Sequence, residues 1–170
     1  MSLKLSVVSS LYFSESNLKE FYQRLKAQAF EIAGDNHEII FVNDGSPDNS
    51  LQVALELSKQ DQKLIIIDLS RNFGHYKAMM TGLIHAKGER VFLIDSDLEE
   101  DPEYLELFNE KLNSLNCDVI YGIQAQRKGN LFERISGSIF WKIFNMLSNI
   151  QIPANHTTAR LMKRDYVDAL

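Results

Sequence analysis

Asp95 and Asp97 stand one residue apart in the run Asp95-Ser96-Asp97-Leu98-Glu99, directly after the apolar stretch Val91-Phe92-Leu93-Ile94. Side chains alternate along an extended segment, so carboxylates at i and i+2 point the same way and can share one hard cation. Two like charges so close need a counter-charge. Mg2+ or Mn2+ would supply it, keep coordination positions for two phosphate oxygens and act as a Lewis acid on a diphosphate leaving group. Glu99 adds a third oxygen ligand in this reading. The same residues also read as a turn, with Asp95 its cap and Asp97, Glu99, Glu100 and Asp101 a solvated acidic loop. Short acidic patterns are common, and position at the end of a strand is what favours the metal.

Such a pair is useful only if a sheet presents it, and the pattern around it predicts one. β-branched apolar runs alternate with longer amphipathic stretches, as in βαβ units laid into a mostly parallel sheet. The strands read as Leu5-Ser6-Val7-Val8-Ser9, Glu38-Ile39-Ile40-Phe41-Val42, Leu64-Ile65-Ile66-Ile67, Val91-Phe92-Leu93-Ile94 and Asp118-Val119-Ile120-Tyr121-Gly122. Between them, Leu18, Phe21, Tyr22 and Leu25 recur at helical spacing, with Ser14 or Ser16 as the cap. Val53, Ala54 and Leu57 mark a second helix, residues 74–86 a third, and Tyr104, Leu105 and Phe108 a fourth with Pro102 in its first turn. A polar basic hinge, Arg127-Lys128-Gly129-Asn130, precedes a long amphipathic helix over 131–150, and a new helix begins near the end of the sequence.

The composition narrows the partners. With 170 residues, 45% of them apolar, a single domain over 1–170 with a substantial core is expected. A formal charge of -5 argues against a nucleic-acid partner, which calls for a basic balance or stripe. Cys117 is the single cysteine, so nothing points to an oxidising compartment, and a cytoplasmic setting is expected. No leader pattern opens the sequence, and no segment reaches the roughly 18 apolar residues of a membrane span.

In an open parallel sheet, ligands bind beyond the carboxyl ends of the strands. Every chemically suggestive loop of this sequence falls at that edge: Tyr12 and Glu15 after the first strand, Asp44 and Ser46 after the second, Arg71 and Asn72 after the third, and the Asp-Ser-Asp run after the fourth. Taken together, Asn43-Asp44-Gly45-Ser46-Pro47-Asp48, Ser70-Arg71-Asn72-Phe73-Gly74, Asp95-Ser96-Asp97-Leu98-Glu99 and Arg160-Leu161-Met162 resemble, in order and spacing, the family 2 glycosyltransferases of GT-A fold. The resemblance is nearest to the branch of dolichol-phosphate-mannose synthases and bacterial polyprenyl-phosphate glycosyltransferases. It implies a Rossmann-like three-layer α/β/α fold around a mostly parallel sheet. It also implies that Asp44 hydrogen-bonds the base of a nucleotide-diphosphate-sugar, that Tyr12 and Glu15 line that pocket, and that Arg71 and Asn72 shape the donor site, with Ser46 and Ser96 in the same motifs. Asp95 and Asp97, helped by Glu99, would hold the metal, and Arg160 would contact phosphate. Asp44 also reads simply as a turn-capping residue, and Arg160 as one end of a helix-surface salt bridge.

The sequence departs from the family in two places. The family's Pro-Val-Tyr-Asn-Glu is here Ser10-Leu11-Tyr12-Phe13-Ser14, and its Gly-Asp-Phe-Arg-Leu is Thr157-Thr158-Ala159-Arg160-Leu161. The missing aspartate bears on the acceptor. A sugar hydroxyl, as in a growing cell-surface glycan, needs a general base, and none is evident after residue 101 beyond Asp165 and Asp168. A lipid phosphate is already ionised and needs only cations, for which Arg127, Lys128, Arg134 and Arg160 are available. The 131–150 helix could lie on the inner face of a membrane or pack on the sheet. His75 and His85, ten residues apart on one helix without a further ligand, read as structural. A nucleotidyltransferase would carry a Gly-rich, basic loop after the first strand, and residues 9–16 contain neither Gly nor Lys. A dinucleotide-binding domain would need G-x-G-x-x-G after a strand. A nucleotide-sugar-binding domain without turnover remains as an alternative, supported by the two altered segments.

Overall fold

A computed structural model describes residues 3–123 and 156–170. Among the described residues, β1 (Leu5–Leu11), β2 (His37–Asn43), β3 (Leu64–Asp68), β4 (Arg90–Leu93), β5 (Val119–Ile123) and β6 (His156–Lys163) form one sheet in the order β3-β2-β1-β4-β6-β5. The helices are α1 (Leu18–Ala33), α2 (Ser50–Ser58), α3 (His75–His85), α4 (Tyr104–Ser114) and α5 (Arg164–Asp168). Two compact units divide the chain, Met1–Ile120 with Ala159–Leu170 and Tyr121–Thr158. The site lies in the first.

β1 pairs in parallel with β2 on one side and β4 on the other, and β2 pairs in parallel with β3. β6 returns antiparallel beside β4, with Arg160 opposite Leu93. The chain therefore reverses its direction of travel across the sheet between β1 and β4, and a crevice opens at such a switch point beyond the carboxyl ends of the strands.

The two-residue period of the strands sorts the core into two layers. Val7, Ile39, Phe41, Phe92 and Leu161 face α1, α2 and α4, where they meet Phe21, Leu25, Ala54, Leu105 and Phe108. Val8, Ile40, Val42, Val91, Leu93 and Met162 face α3 and α5, meeting Ala78, Met79, Leu83 and Val167. This is the expected three-layer α/β/α arrangement. α3 sits close against the sheet because Gly82 offers no side chain: a Cβ there would lie 2.4 Å from Val8 Cγ1. Phe41 is wholly buried between layers, and its truncation to alanine would cost about 3–5 kcal/mol.

Some sequence expectations change. The first four predicted strands match β1 to β4 within a residue or two, and the fifth matches β5, but β6 appears where only a motif and a salt-bridging helix residue were read. Arg160 is thus a strand residue, not a helical one. Asn17, not Ser14 or Ser16, holds the N-cap position of α1, with no side-chain cap bond. Ser14 contributes its carbonyl to the amides of Asn17 and Leu18, and its hydroxyl is engaged elsewhere. The 131–150 helix, with Arg127, Lys128 and Arg134, lies outside the described residues. Among the described residues no helix is long and apolar enough to cross a membrane.

Asp48 fastens the loops that follow β1 and β2. Its Oδ1 accepts the hydroxyls of Ser46 (2.6 Å) and Ser50 (2.5 Å) and the Ser50 amide, and its Oδ2 accepts the Glu15 amide. Burial alone would push this carboxyl up, but the hydroxyl and amide donors outweigh it and hold the group down at about 2. A carboxyl depressed in the folded chain stabilises it above the ordinary carboxylate range and loses that contribution as pH falls toward its folded value. The thermal midpoint is therefore expected to drop between about pH 4 and about pH 2, and Asp48→Asn to flatten that drop. Asp48→Ala should also destabilise the chain at neutral pH by about 1–3 kcal/mol, because buried Ser50 loses its acceptor. Calorimetric melting across the pH series checks both outcomes.

Candidate functional site

The loops beyond β1, β2, β3 and β4 enclose a cavity of about 450 Å3, lined by Ser10, Tyr12, Phe13, Asp44, Asn72, His75, Asp95 and Asp97 among others. Asp44 organises it. Buried at 3% exposure, its carboxylate accepts the amide of Phe73 at 2.7 Å through Oδ1 and that of Gly74 at 3.0 Å through Oδ2. These amides lead into α3, so one side chain just after β2 sets where the β3–α3 connection lies. Gly45 makes the approach possible. It holds φ at 59°, and a Cβ would fall 2.5 Å from both Arg71 C and Asn72 N.

On the β1 side, Ser96 is buried and its hydroxyl donates to the Ser10 carbonyl at 2.9 Å and shares a 2.8 Å hydrogen bond with the Ser14 hydroxyl. Ser14 in turn accepts the Tyr12 amide, and Ser46 accepts the Phe13 amide. Phe13 at φ 54° and Leu98 at φ 61° are held in the left-handed region although neither is glycine. Non-glycine residues persist there only where their surroundings over-determine them, and such residues cluster at ligand sites. One stands in the β1 loop and the other immediately after Asp97.

Asp95 and Asp97 both line the cavity. Asp97 Oδ1 accepts the Glu99 amide at 2.9 Å, and the Asn17 side chain donates to the Asp97 carbonyl. Asp95 Oδ1 lies 3.3 Å from His75 Nε2, and the other ring nitrogen, Nδ1, lies 3.1 Å from Ser10 Oγ. His75 is therefore a residue of the site, against the structural reading its sequence position suggested.

Of the expected site residues, Tyr12, Asp44, Asn72, Ser96, Asp95 and Asp97 come together around the cavity. Glu15 does not line it; its carboxylate accepts the Asn49 amide and side chain at the start of α2. Ser46 supports the cavity from behind through Phe13 and Asp48. The Arg71 guanidinium lies over the Phe73 ring at 4.5 Å, and Arg160 stands on β6 opposite Leu93, just before Asp95 in the sequence. Glu99 is exposed and does not line the cavity. Glu100 is buried instead, and its Oε2 accepts the Ala159 amide, joining the acidic loop to β6. Sequence reasoning missed Ser10, Ser14, His75 and Glu100. No spacing rule marks them, because each acts through a partner distant in sequence.

Among the described residues no three His, Cys, Asp or Glu side chains form a metal-binding group. Mg2+ commonly takes only one or two protein carboxylates and completes its shell with substrate phosphates and water. Two hard carboxylates on one cavity suit a cation shared with a diphosphate, not one caged by protein.

The sequence matches the family Glycosyl transferase family 2 over residues 6–170. A protein of Mycobacterium tuberculosis (strain CDC 1551 / Oshkosh) described as "Putative glycosyltransferases" is 49% identical over 168 residues, covering 99% of this chain and 49% of that protein. The prophage bactoprenol glucosyl transferase homolog of Escherichia coli K12 is 31% identical over 168 residues, 98% of this chain and 54% of its own length. The chain thus spans about half the length of these curated relatives. Among solved structures, the mannosyltransferase PcManGT from Pyrobaculum calidifontis, in complex with GDP-Man and Mn2+, shares the fold at a TM-score of 0.69 and 17% identity, over 99% of this chain and 47% of that one. Parallel strands, loops converging on the Asp95–Asp97 cavity and a family match across nearly the whole length lead to one conclusion: the chain belongs to glycosyl transferase family 2.

Proposed function

We propose that this chain is the donor-binding core of a metal-dependent, inverting glycosyltransferase that moves a sugar from a nucleotide-diphosphate-sugar to an ionised phosphate, as on a polyprenyl phosphate. The observation that carries the reading is the convergence of Asp95 and Asp97 on one cavity at the switch point of the sheet. The Mn2+ and GDP-Man of the Pyrobaculum mannosyltransferase support it, as does the bactoprenol name of the Escherichia coli relative for a lipid acceptor.

In this reading the base lies toward Tyr12 and Asp44 and the diphosphate toward Asp95 and Asp97. Asp95 and Asp97 would hold Mg2+ or Mn2+, which would offset the diphosphate's charge and supply Lewis acidity to the leaving group. Tyr12, 48% exposed at the rim, offers an aromatic face to a base. Asn72 and the Arg71 guanidinium border the donor from the β3 side. The acceptor oxygen attacks the anomeric carbon from the face opposite the diphosphate, the bond from that carbon to the diphosphate oxygen breaks, and the nucleoside diphosphate departs, leaving the sugar on the acceptor with inverted configuration.

Each carboxylate lining the cavity already has an assignment. Asp44 is held by two amides, and Asp95 and Asp97 are given to the cation, so among the described residues no cavity carboxylate is left to deprotonate a sugar hydroxyl. A phosphate acceptor needs none, and Arg160 is the cation we assign to it. A lipid acceptor would place the reaction at a membrane surface, and we assign it to the inner face. A binding domain without turnover would bind donor in the same way and differ only in failing to release free nucleoside diphosphate.

Asp97→Ala should abolish Mn2+-dependent binding of UDP or GDP while leaving the far-UV circular dichroism unchanged, since Asp97 lies in an exposed loop. Unchanged affinity by isothermal titration calorimetry would remove the metal assignment. Asp44→Ala should weaken nucleotide binding about 10- to 100-fold in Mn2+ and in EDTA alike, as loss of a charged hydrogen-bond acceptor implies. Equal affinities for variant and parent would reduce Asp44 to a loop anchor.

A further inference from the structure

The His75 imidazole stands between β1 and the Asp95 carboxylate, outside every motif that marked the site in the sequence. Asp44 holds the amides of Phe73 and Gly74, Gly74 turns at φ 98°, and His75 follows as the first residue of α3. From there its ring reaches Ser10 Oγ at 3.1 Å through Nδ1 and Asp95 Oδ1 at 3.3 Å through Nε2. Ser10 is 7% exposed and belongs to β1, one of the two central strands of the sheet, so that end of the ring is anchored on paired backbone.

We propose that His75 is the positioning residue of the cation site, bracing the Asp95 carboxylate from the β3–α3 loop. Nε2 lies 3.3 Å from Asp95 Oδ1, a polar contact just beyond ordinary hydrogen-bond length, and with the proton on Nε2 the Nδ1 atom accepts the Ser10 hydroxyl. One tautomer serves both contacts of the imidazole. The contact restrains the Asp95 carboxylate in a loop where β4 has already ended at Leu93. Asp97 is braced differently, by the Glu99 amide of its own loop. One carboxylate is thus set locally and the other from across the crevice, through the same connection that Asp44 clamps. Nucleotide contact at Asp44 and cation contact at Asp95 are mechanically joined by three consecutive residues, Phe73, Gly74 and His75.

The inference rests on the donor-and-cation reading above. Hydrogen bonds to metal-ligating groups orient them, and their loss typically costs about 10–100-fold in metal affinity. The test is Mn2+ titration of the 170-residue chain, with free Mn2+ followed by electron paramagnetic resonance, alone and with UDP or GDP. His75→Asn keeps the side toward Ser10 and loses the reach to Asp95; His75→Gln has an amide long enough to donate to Asp95. The ring is 44% exposed, so both variants should keep the parent's circular dichroism. His75→Asn is expected to weaken Mn2+ binding about tenfold or more, and His75→Gln to restore most of that loss. Affinity in His75→Asn equal to the parent's, or tighter, would overturn the brace, the second by showing that the ring competes with the cation for Oδ1. Equal weakening in both variants would overturn donation from Nε2 as its cause. A parent chain that holds no Mn2+ even with nucleotide would refute the cation reading itself, and the brace with it.

Discussion

Two backbone amides donated to one buried carboxylate set the geometry of this site. Asp44 sits at the end of β2 and receives Phe73 and Gly74. A buried carboxylate is costly unless its lone pairs are satisfied, and here the donors come from a loop that would otherwise have little to hold it. The exchange is mutual: the carboxylate is satisfied, and the β3–α3 connection acquires a position. Gly45 is required at the contact because the loop backbone occupies the space a side chain would fill. From that connection follow Asn72 at the cavity, the start of α3 and the placement of His75 against Asp95.

A second anchor works on the opposite wall. Asp48, Ser46, Ser50 and Glu15 interlock the loops after β1 and β2, while Ser14 and Ser96 join β1 to the acidic loop through small hydroxyls. These serines lie where the sheet's apolar layers end, and short side chains let neighbouring loops approach closely enough for direct hydrogen bonds. The left-handed backbone at Phe13 is held by this network through the Ser46 hydroxyl. Loops tied down on both sides suit the proposed site, in which two carboxylates are presented to one cation.

The parts of this arrangement that repeat along the chain were legible in the sequence. β-branched runs mark β1 to β5, helical spacing marks α1 to α4, and the position of Asp95 and Asp97 after an apolar strand places them at the binding edge. β6 was not legible, because His156-Thr157-Thr158-Ala159-Arg160 lacks both a continuous apolar run and clean alternation, and its strand form comes from pairing with β4. Glu15 was assigned to the pocket from its motif, yet the nearby amide and side chain of Asn49 capture it. Ser14 reads as a helix cap and is instead drawn to Ser96. His75 carries no local signal at all; its role exists only once β1, β4 and the start of α3 meet. Residues whose partners lie within a few positions can be read from spacing, and those whose partners lie 65 or 82 residues away cannot.

The central claim is spatial: a divalent cation and a nucleoside diphosphate meet between Asp95 and Asp97. Paramagnetic broadening by Mn2+ in the amide spectrum of the 15N-labelled chain, recorded with UDP or GDP, tests it directly. The account predicts that amides of Asp97, Glu99 and His75 broaden at substoichiometric Mn2+, while those of Gly88 and Lys63, before β4 and β3 at the far edge of the sheet, stay sharp. Broadening centred anywhere else, or none at all in the presence of nucleotide, would contradict it.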